Sequence, residues 1–518
     1  MLKLSLAFVI LVVLTLVPWC APPQGLEATG RTMAAAEQAP ASFAWERSTP
    51  EEQGMDSERL ADMVETIKKH GHRIRSVTVI RNGLMVADAT FAPFQPDTWH
   101  IVHSCTKSIM SALIGIAIEE GHIGSVETPL LDFFPEKVPA TPDERKRGIT
   151  LKHLLSMSAG LRTEDSYLYR WRGLRELGES SDWIQHIIDL PMSEAPGTRF
   201  EYSNCVAFLL AAILQKTTGS SALSFAKEHL FGPLGITEVD WRFGPQGINL
   251  GWSGISMKPH DIAKIGLLYL NEGRWGGEQV VPEEWVEEST KSQIHSGTLS
   301  DKYGYQWWID DAGYFMMLGS GGQFVIVHPG KNMVVVFLSV LESDDFFTPE
   351  MLFRNFVVPA AVSSDPLPAN PKGVARLEAL SEAVAATAAE AVAQLPEAAG
   401  RVSGRTYAFD PNPVGFKKFC LIFEPGKSEA QLAVSFGPKN VQVSLGLDNV
   451  HRITRSEGFL RAYRGYWKDE RTFIIDYEVI DYTERGGARL TFGGDSVTVM
   501  IEDVIEGESH ELIGRLQD

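Results

Sequence analysis

Ser104-Cys105-Thr106-Lys107 places a hydroxyl and an amine three residues apart where an apolar helix begins. Positions i and i+3 share one helix face, so the Lys107 amine can reach the Ser104 hydroxyl and take its proton. That is the arrangement of an activated serine nucleophile. A second match, Ser224-Phe225-Ala226-Lys227, shows that the spacing alone is weak evidence. Context separates them. Ser104 follows a polar loop (Asp97, Thr98, His100, His103) and opens the run Ser108 to Ile118, apolar nearly all round, with a stop at Glu119-Glu120-Gly121. Ser104 is therefore expected at the N-terminus of a buried helix, where backbone N–H groups favour developing negative charge. Ser224 falls in an amphipathic stretch and reads as an ordinary solvated face.

Such a pair also needs a proton shuttle and an oxyanion hole. The turn-rich loop Ala195 to Asn204 carries Tyr202 and Asn204 just before the apolar helix Val206 to Leu214. The phenol can relay the proton to the leaving group, and the Asn204 amide can hold either Lys107 or a substrate carbonyl. Tyr269-Leu270-Asn271 matches the same pattern, but at the end of a helix beginning near Asp261, where Tyr269 reads as core and Asn271 as a helix stop.

The elements that must position these groups come from both ends of a catalytic segment. Ile74 to Ile80 reads as a strand, Asn82-Gly83 as a hairpin turn into Leu84 to Ala89, and Met333 to Leu338 as an apolar strand after Pro329-Gly330. With helical segments between them, the expectation is an α/β (α+β) fold. An antiparallel sheet is flanked by helices, a helical subdomain is inserted, and the site lies between the two. Beyond Ser363 a Pro-rich join leads to an Ala-rich segment, Leu377 to Leu395, that reads as a helix. From Arg401 the pattern becomes period two, which predicts a small all-β domain, a barrel or sandwich. The expected division is 1–40 signal and flexible N-terminus, 41–362 catalytic domain, 363–400 join and helix, and 401–518 β domain. Because all the chemistry placed so far precedes Ser363, a chain lacking 401–518 is expected to keep a reactive Ser104.

Over roughly residues 48 to 362 the chain resembles the serine β-lactamase and penicillin-binding-protein superfamily, nearest its class C and esterase-like branch. The resemblance rests on the motifs above, on Ile149 to Leu161, on Pro233-Leu234-Gly235-Ile236, on Ser253 to Ser256 leading to Asp261-Ile262-Ala263-Lys264, and on Tyr303 to Trp308. It implies nucleophile, general base and proton shuttle for Ser104, Lys107 and Tyr202. The third family motif, Lys-Thr-Gly or His-Thr-Gly, is replaced by Met317-Leu318-Gly319. Lys216-Thr217-Thr218-Gly219 caps a helix instead, and His295-Ser296-Gly297 falls in a polar connection before Tyr303. The backbone N–H of Ser320 would join that of Ser104 as the oxyanion hole. Gly319 to Gly322 also reads as a tight turn, and both readings can hold together. The sequence is similar to the 6-aminohexanoate-dimer hydrolase type, whose corresponding strand carries the same Gly-x-x-Gly-Gln pattern. The implied function is serine hydrolysis of an ester or amide of a small substrate through an acyl-enzyme. The alternative is a penicillin-binding, β-lactamase or D-peptidase activity, or a penicillin-recognising module without turnover. Without the motif's cation, neutral esters and amides are expected to be better substrates than β-lactams. The loop Tyr167, Tyr169, Arg170, Trp171 and Arg172 either lines the pocket or is a surface loop held by aromatic packing.

Other classes find no support. There is no Gly-x-Ser-x-Gly elbow, no Ser-Asp-Asn, no His-Glu-x-x-His, no paired Cys/His spacing and no phosphate loop, so neither cofactor nor metal is expected. A formal net charge of −19 disfavours nucleic acid and anionic membranes as partners. Lys3 followed by the apolar stretch Leu4 to Val17 reads as an export signal too short to span a bilayer comfortably. The expected destination is the periplasm or the exterior, with no stable membrane span once the signal is removed. Cys105, Cys205 and Cys420 then remain, an odd and scattered set that is no disulfide framework.

Overall fold

The computed structural model describes residues 43–165, 171–297, 300–456, 459–503 and 508–517. The export-signal reading and Tyr167, Tyr169 and Arg170 of the aromatic loop lie outside them.

The first layer is an eight-stranded sheet that joins the two ends of the catalytic segment. Strand Ile74–Arg81 pairs antiparallel with Leu84–Thr90 on one side and with Met333–Ser339 on the other, with Val77 opposite Phe337. Asn82 and Gly83, at φ 52° and 79°, form the turn of the expected hairpin. The sheet continues through Gln323–His328, Tyr314–Gly319 and Trp308–Asp310, and ends on the short strands Lys302–Tyr303 and Ile294–His295. His295 is thus on an edge strand rather than in a loop. Every residue of Ile74–Arg81 and of Met333–Ser339 is buried, which explains their continuous rather than alternating apolar pattern: both faces of these strands are covered. Helix Pro259–Leu270 supplies part of that cover. A Cβ on its Gly266 would stand 2.6 Å from Val334 and 3.0 Å from Val325, so the helix approaches the sheet only because that position is bare.

Between the strands lies the helical part, in which Thr106–Glu119 and Asn204–Thr218 pack on each other. Both are apolar almost throughout and buried as far as Ala117 and Leu214, their last turns reaching the surface. No single helix among the described residues is long and apolar enough to cross a membrane.

The alanine-rich expectation needs correction. The helix runs Pro371–Ala385, not Leu377 to Leu395, because Asn370 caps Gly373 N–H and Pro371 fits the first helical turn. Alanines 386, 388, 389 and 391 are exposed and offer no stripe to bury, and propensity alone does not hold a helix of that length. Nor is the ordered helix a loose join. Its Arg376 reaches Glu58, Asp62 and Glu65 of helix Ser57–His70 at 2.8, 2.7 and 2.6 Å.

The last unit is all-β. Ten strands from Thr406–Phe409 to Glu508–Leu516 form one sheet, antiparallel from neighbour to neighbour, which closes on itself through a parallel contact where Gly446 meets Arg464. Its own core is aromatic and aliphatic, with Phe416, Phe419, Leu421, Phe473, Leu490 and Val497 all buried. The period-two pattern of the sequence is the inside–outside alternation of this barrel.

Candidate active site

The helix that follows Ser104 does not start abruptly. His103–Cys105 form one 3-10 turn, and His103 holds a left-handed φ of 45°, an uncommon conformation for a residue with a side chain. The turn aims Ser104 at Lys107, whose Nζ lies 3.2 Å from Ser104 Oγ. Lys107 is only 2 % exposed. Its amine also donates to Asn204 Oδ1 at 2.7 Å and to the Trp252 carbonyl at 3.2 Å. Burial pulls the amine down to about 7, against an opposing pull from the Asp165 carboxylate. A neutral amine has two N–H bonds and one lone pair. With Asn204 and Trp252 taking the two N–H bonds, the lone pair is left for the Ser104 hydroxyl.

Tyr202 completes the group. Its ring lies under the Lys107 amine at 4.6 Å and stacks on Trp308 at 5.8 Å, with the Ser104 hydroxyl near enough to its phenol to offset part of the effect of burial. Burial raises its phenol, so it stays protonated near neutrality and can pass a proton rather than hold a charge. Of the two roles open to Asn204, the geometry realises the hold on Lys107.

Asp165 was not visible in the sequence, since one acid in a loop carries no pattern. It is 1 % exposed, and its carboxylate accepts from Cys205 N at 2.6 Å, Ser203 Oγ at 3.2 Å and Thr163 Oγ1 at 3.1 Å. It therefore anchors the start of helix Asn204–Thr218, fixing Tyr202 and Asn204 on either side of Lys107, and supplies a carboxylate whose charge bears on that amine.

Gly319 ends strand Tyr314–Gly319 against the loop that carries Ser104. A Cβ there would meet the Val102 carbonyl at 2.4 Å, so only glycine lets the strand come this close to Ser104. Ser320 follows in an exposed turn with Gly321 and Gly322 at φ 74° and 83°. The buried Gln323 amide braces this turn by donating to Ser320 O at 3.0 Å and Ser339 O at 2.8 Å. The tight-turn reading of Gly319 to Gly322 is thus what the backbone shows. Met317 is fully buried opposite Val325, the residue that meets helix Pro259–Leu270, so no charge stands at the third motif.

The decoys are where their context put them. Ser224 bonds Ser221, Tyr269 is 2 % exposed against Trp307 at 4.4 Å, and Gly219 is a helix stop at φ 74°. Cys105 and Cys205 are buried free thiols, raised by that burial and inert as nucleophiles. Trp171 and Arg172 lie outside the group, Arg172 pairing with Glu164 and Glu176.

The barrel also reaches this place. Its hairpin turn Ile480–Thr483 puts the Thr483 hydroxyl on His103 Nε2 and Tyr482 5.5 Å from the His103 ring. The turn is held by Arg75 of the first sheet strand, 3 % exposed, which donates to Val479 O, Ile480 O and Tyr482 O at 2.8, 2.7 and 2.8 Å and pairs with Glu478 at 2.8 Å. Arg75 also donates to His100 Nε2 at 3.1 Å, leaving the His100 proton on Nδ1, where it binds Ile101 O at 2.7 Å. An arginine only donates, so the tautomer is fixed. Asp481 O accepts from Ile101 N at 3.3 Å.

A fold of this kind, with a serine and lysine brought together between a sheet and a helical part, belongs to one class of proteins. The beta-lactamase family model matches residues 52–352, more than half of the chain, and the protein belongs to that family. Among its relatives is the 6-aminohexanoate-dimer hydrolase of Paenarthrobacter ureafaciens, 25% identical over 285 residues, 50% of this chain and 71% of the relative. Esterase EstB of Burkholderia gladioli is 23% identical over 197 residues, 36% of this chain but only 48% of EstB. A Bacillus anthracis structure described as a candidate 6-aminohexanoate-dimer hydrolase superposes with a TM-score of 0.52 at 21% identity, over 63% of this chain and 89% of that one, which confirms the fold.

Proposed function

We propose that the protein hydrolyses an ester or amide bond of a small substrate through an acyl-enzyme on Ser104. The observation that carries this reading is the Lys107 amine, buried, pulled down to about 7 and set 3.2 Å from Ser104 Oγ with its N–H bonds taken by other acceptors. Lys107 withdraws the proton as Ser104 Oγ attacks the carbonyl carbon. The developing oxyanion is held by the backbone N–H groups of Ser104 and Ser320. Tyr202 passes a proton to the leaving group as the carbon–heteroatom bond breaks. The Lys107 ammonium restores the Tyr202 proton, and a water then gives a proton to the neutral Lys107 amine as its oxygen attacks the acyl carbon; the Ser104–acyl bond breaks, Ser104 Oγ takes that proton and the acid departs. The hydrolases and esterases among the relatives support the same reading. Every step uses side chains or backbone of this chain, and among the described residues no cluster of three His, Cys, Asp or Glu is placed to hold a metal. Lys3 and the apolar stretch Leu4 to Val17 support reading the protein as exported.

The test is a panel of p-nitrophenyl esters, short amides and nitrocefin, run with and without a serine-directed phosphonate. Turnover of an ester or amide that a stoichiometric phosphonate abolishes supports the proposal. Turnover that survives complete labelling of Ser104 refutes it.

A further inference from the structure

Among the described residues, Arg242 is a half-buried cation without a counterion. It follows strand Asp240–Trp241, and its backbone bonds Gly254 and Leu250 within the segment that also supplies the Trp252 carbonyl to Lys107. Its guanidinium lies 4.9 Å from the Tyr482 ring and 5.6 Å from the Phe459 ring, both on the barrel. Among the described residues no carboxylate is within ion-pair distance of it, in a chain with 66 acidic residues and a net charge of −19. Of the other arginines nearby, Arg75 is paired with Glu478 and Arg485 with Glu342, while Arg461 lies over the same Phe459 ring at 5.6 Å.

The place is the rim of the site. The Tyr482 ring is a single spacer between Arg242 and His103, the residue before the nucleophile. Burial first and then the Arg242 charge, ahead of that of Lys107, lower His103 to about 3, which leaves the imidazole neutral and unable to act as the anion's partner. A guanidinium resting against aromatic rings has those contacts satisfied by its flat face, and its N–H groups remain in the plane for a two-pronged bond to a carboxylate. The aromatic partners come from the barrel, and the Tyr482 turn is fixed in place by Arg75 and by Asp481, whose carboxylate accepts from Leu460 N at 3.1 Å.

We propose that Arg242, held by Tyr482 and Phe459, receives a carboxylate carried by the substrate, so that the enzyme selects anionic esters or amides over neutral ones. The inference rests on hydrolysis at Ser104. It reverses the sequence expectation for substrate charge: the cation missing at Met317 is supplied from another part of the cleft.

The experiment compares mono-p-nitrophenyl glutarate with p-nitrophenyl butyrate, which differ chiefly by the terminal carboxylate, in the wild type, Arg242→Gln, Arg242→Lys and Tyr482→Leu. In Arg242→Gln, kcat/KM for the glutarate is expected to fall about 10-fold to 100-fold, mainly through KM, with the butyrate changed less than about threefold. Arg242→Lys should recover part of the loss, Tyr482→Leu should show a smaller selective loss, and added salt should weaken only the glutarate reaction. Labelling of Ser104 by a neutral phosphonate is the control for folding and chemistry. Equal losses on both substrates, or none, with labelling intact, would overturn the role of Arg242 alone. If the wild type itself resists labelling at Ser104, the hydrolase reading falls and this inference with it.

Discussion

Arg75 Nη2 lies 2.8 Å from Glu478 Oε1, joining the first strand of the catalytic sheet to the barrel across 403 residues of chain. Both side chains are largely enclosed, at 4% and 13% exposure. Removing one partner leaves the other charged and desolvated, so Arg75→Leu is expected to cost about 3–5 kcal/mol in denaturant unfolding. Glu478→Gln keeps an acceptor and should cost less. A chain lacking 401–518 also loses the three carbonyl acceptors of Arg75 and the Thr483 contact to His103. It should be less stable and label more slowly at Ser104 than the whole protein, contrary to the expectation from sequence. Labelling at the full rate in a folded truncation would show that the barrel does not support the nucleophile loop.

The pH dependence follows from Lys107. The base must be neutral to take a proton, and its amine sits at about 7, so kcat/KM should rise with pH through about 7 and level off above it. Asp165 pulls that amine up, since its negative charge favours the protonated form. Asp165→Asn should therefore move the rising limb to lower pH, by about one unit, while the retained carbonyl oxygen can still accept from Cys205 N–H. A limb moving to higher pH, or not at all, would remove Asp165 from the account.

Tyr202→Phe removes the shuttle and keeps the ring on Trp308 and Lys107. Its kcat/KM on an alkyl ester should fall about 10²-fold to 10⁴-fold. The loss should be much smaller on a p-nitrophenyl ester, whose leaving group departs as a stable anion. Equal losses on both esters would mean that Tyr202 positions Ser104 and does not deliver a proton.

How far the sequence carried is clearest at particular residues. Ser104, Lys107, Tyr202 and Asn204 were legible because each sits at a loop-to-helix junction whose apolar run announces itself, and a site built at helix starts inherits that signal. The antiparallel sheet was legible from Asn82-Gly83 and from the unbroken apolar strand at Met333. Asp165, Arg75, Glu478 and Arg242 were not. Each acts through a partner far away in the chain, and a single charged residue in a polar surrounding gives no periodicity to read. The barrel's alternation was visible, but nothing in Ile480 to Thr483 shows that this turn leaves the barrel to touch His103.

Met317 shows the same limit in reverse. The sequence marks it as a missing cation, and the structure shows it fully buried in the sheet. A lysine there would carry its charge into an apolar layer, so Met317→Lys should lower the melting temperature markedly, with Met317→Leu nearly neutral. Differential scanning fluorimetry of the two variants checks this. An unchanged melting point for the lysine variant would mean that the position can reach solvent or a counterion.

The central claim is that Ser104 is the nucleophile. Intact-mass analysis after treatment with a fluorophosphonate tests it directly. The wild type should gain a single adduct, mapped to Ser104 by peptide sequencing, with loss of all ester turnover, and Ser104→Ala should gain none and turn over nothing. An adduct on another residue, or turnover surviving in Ser104→Ala, would contradict it.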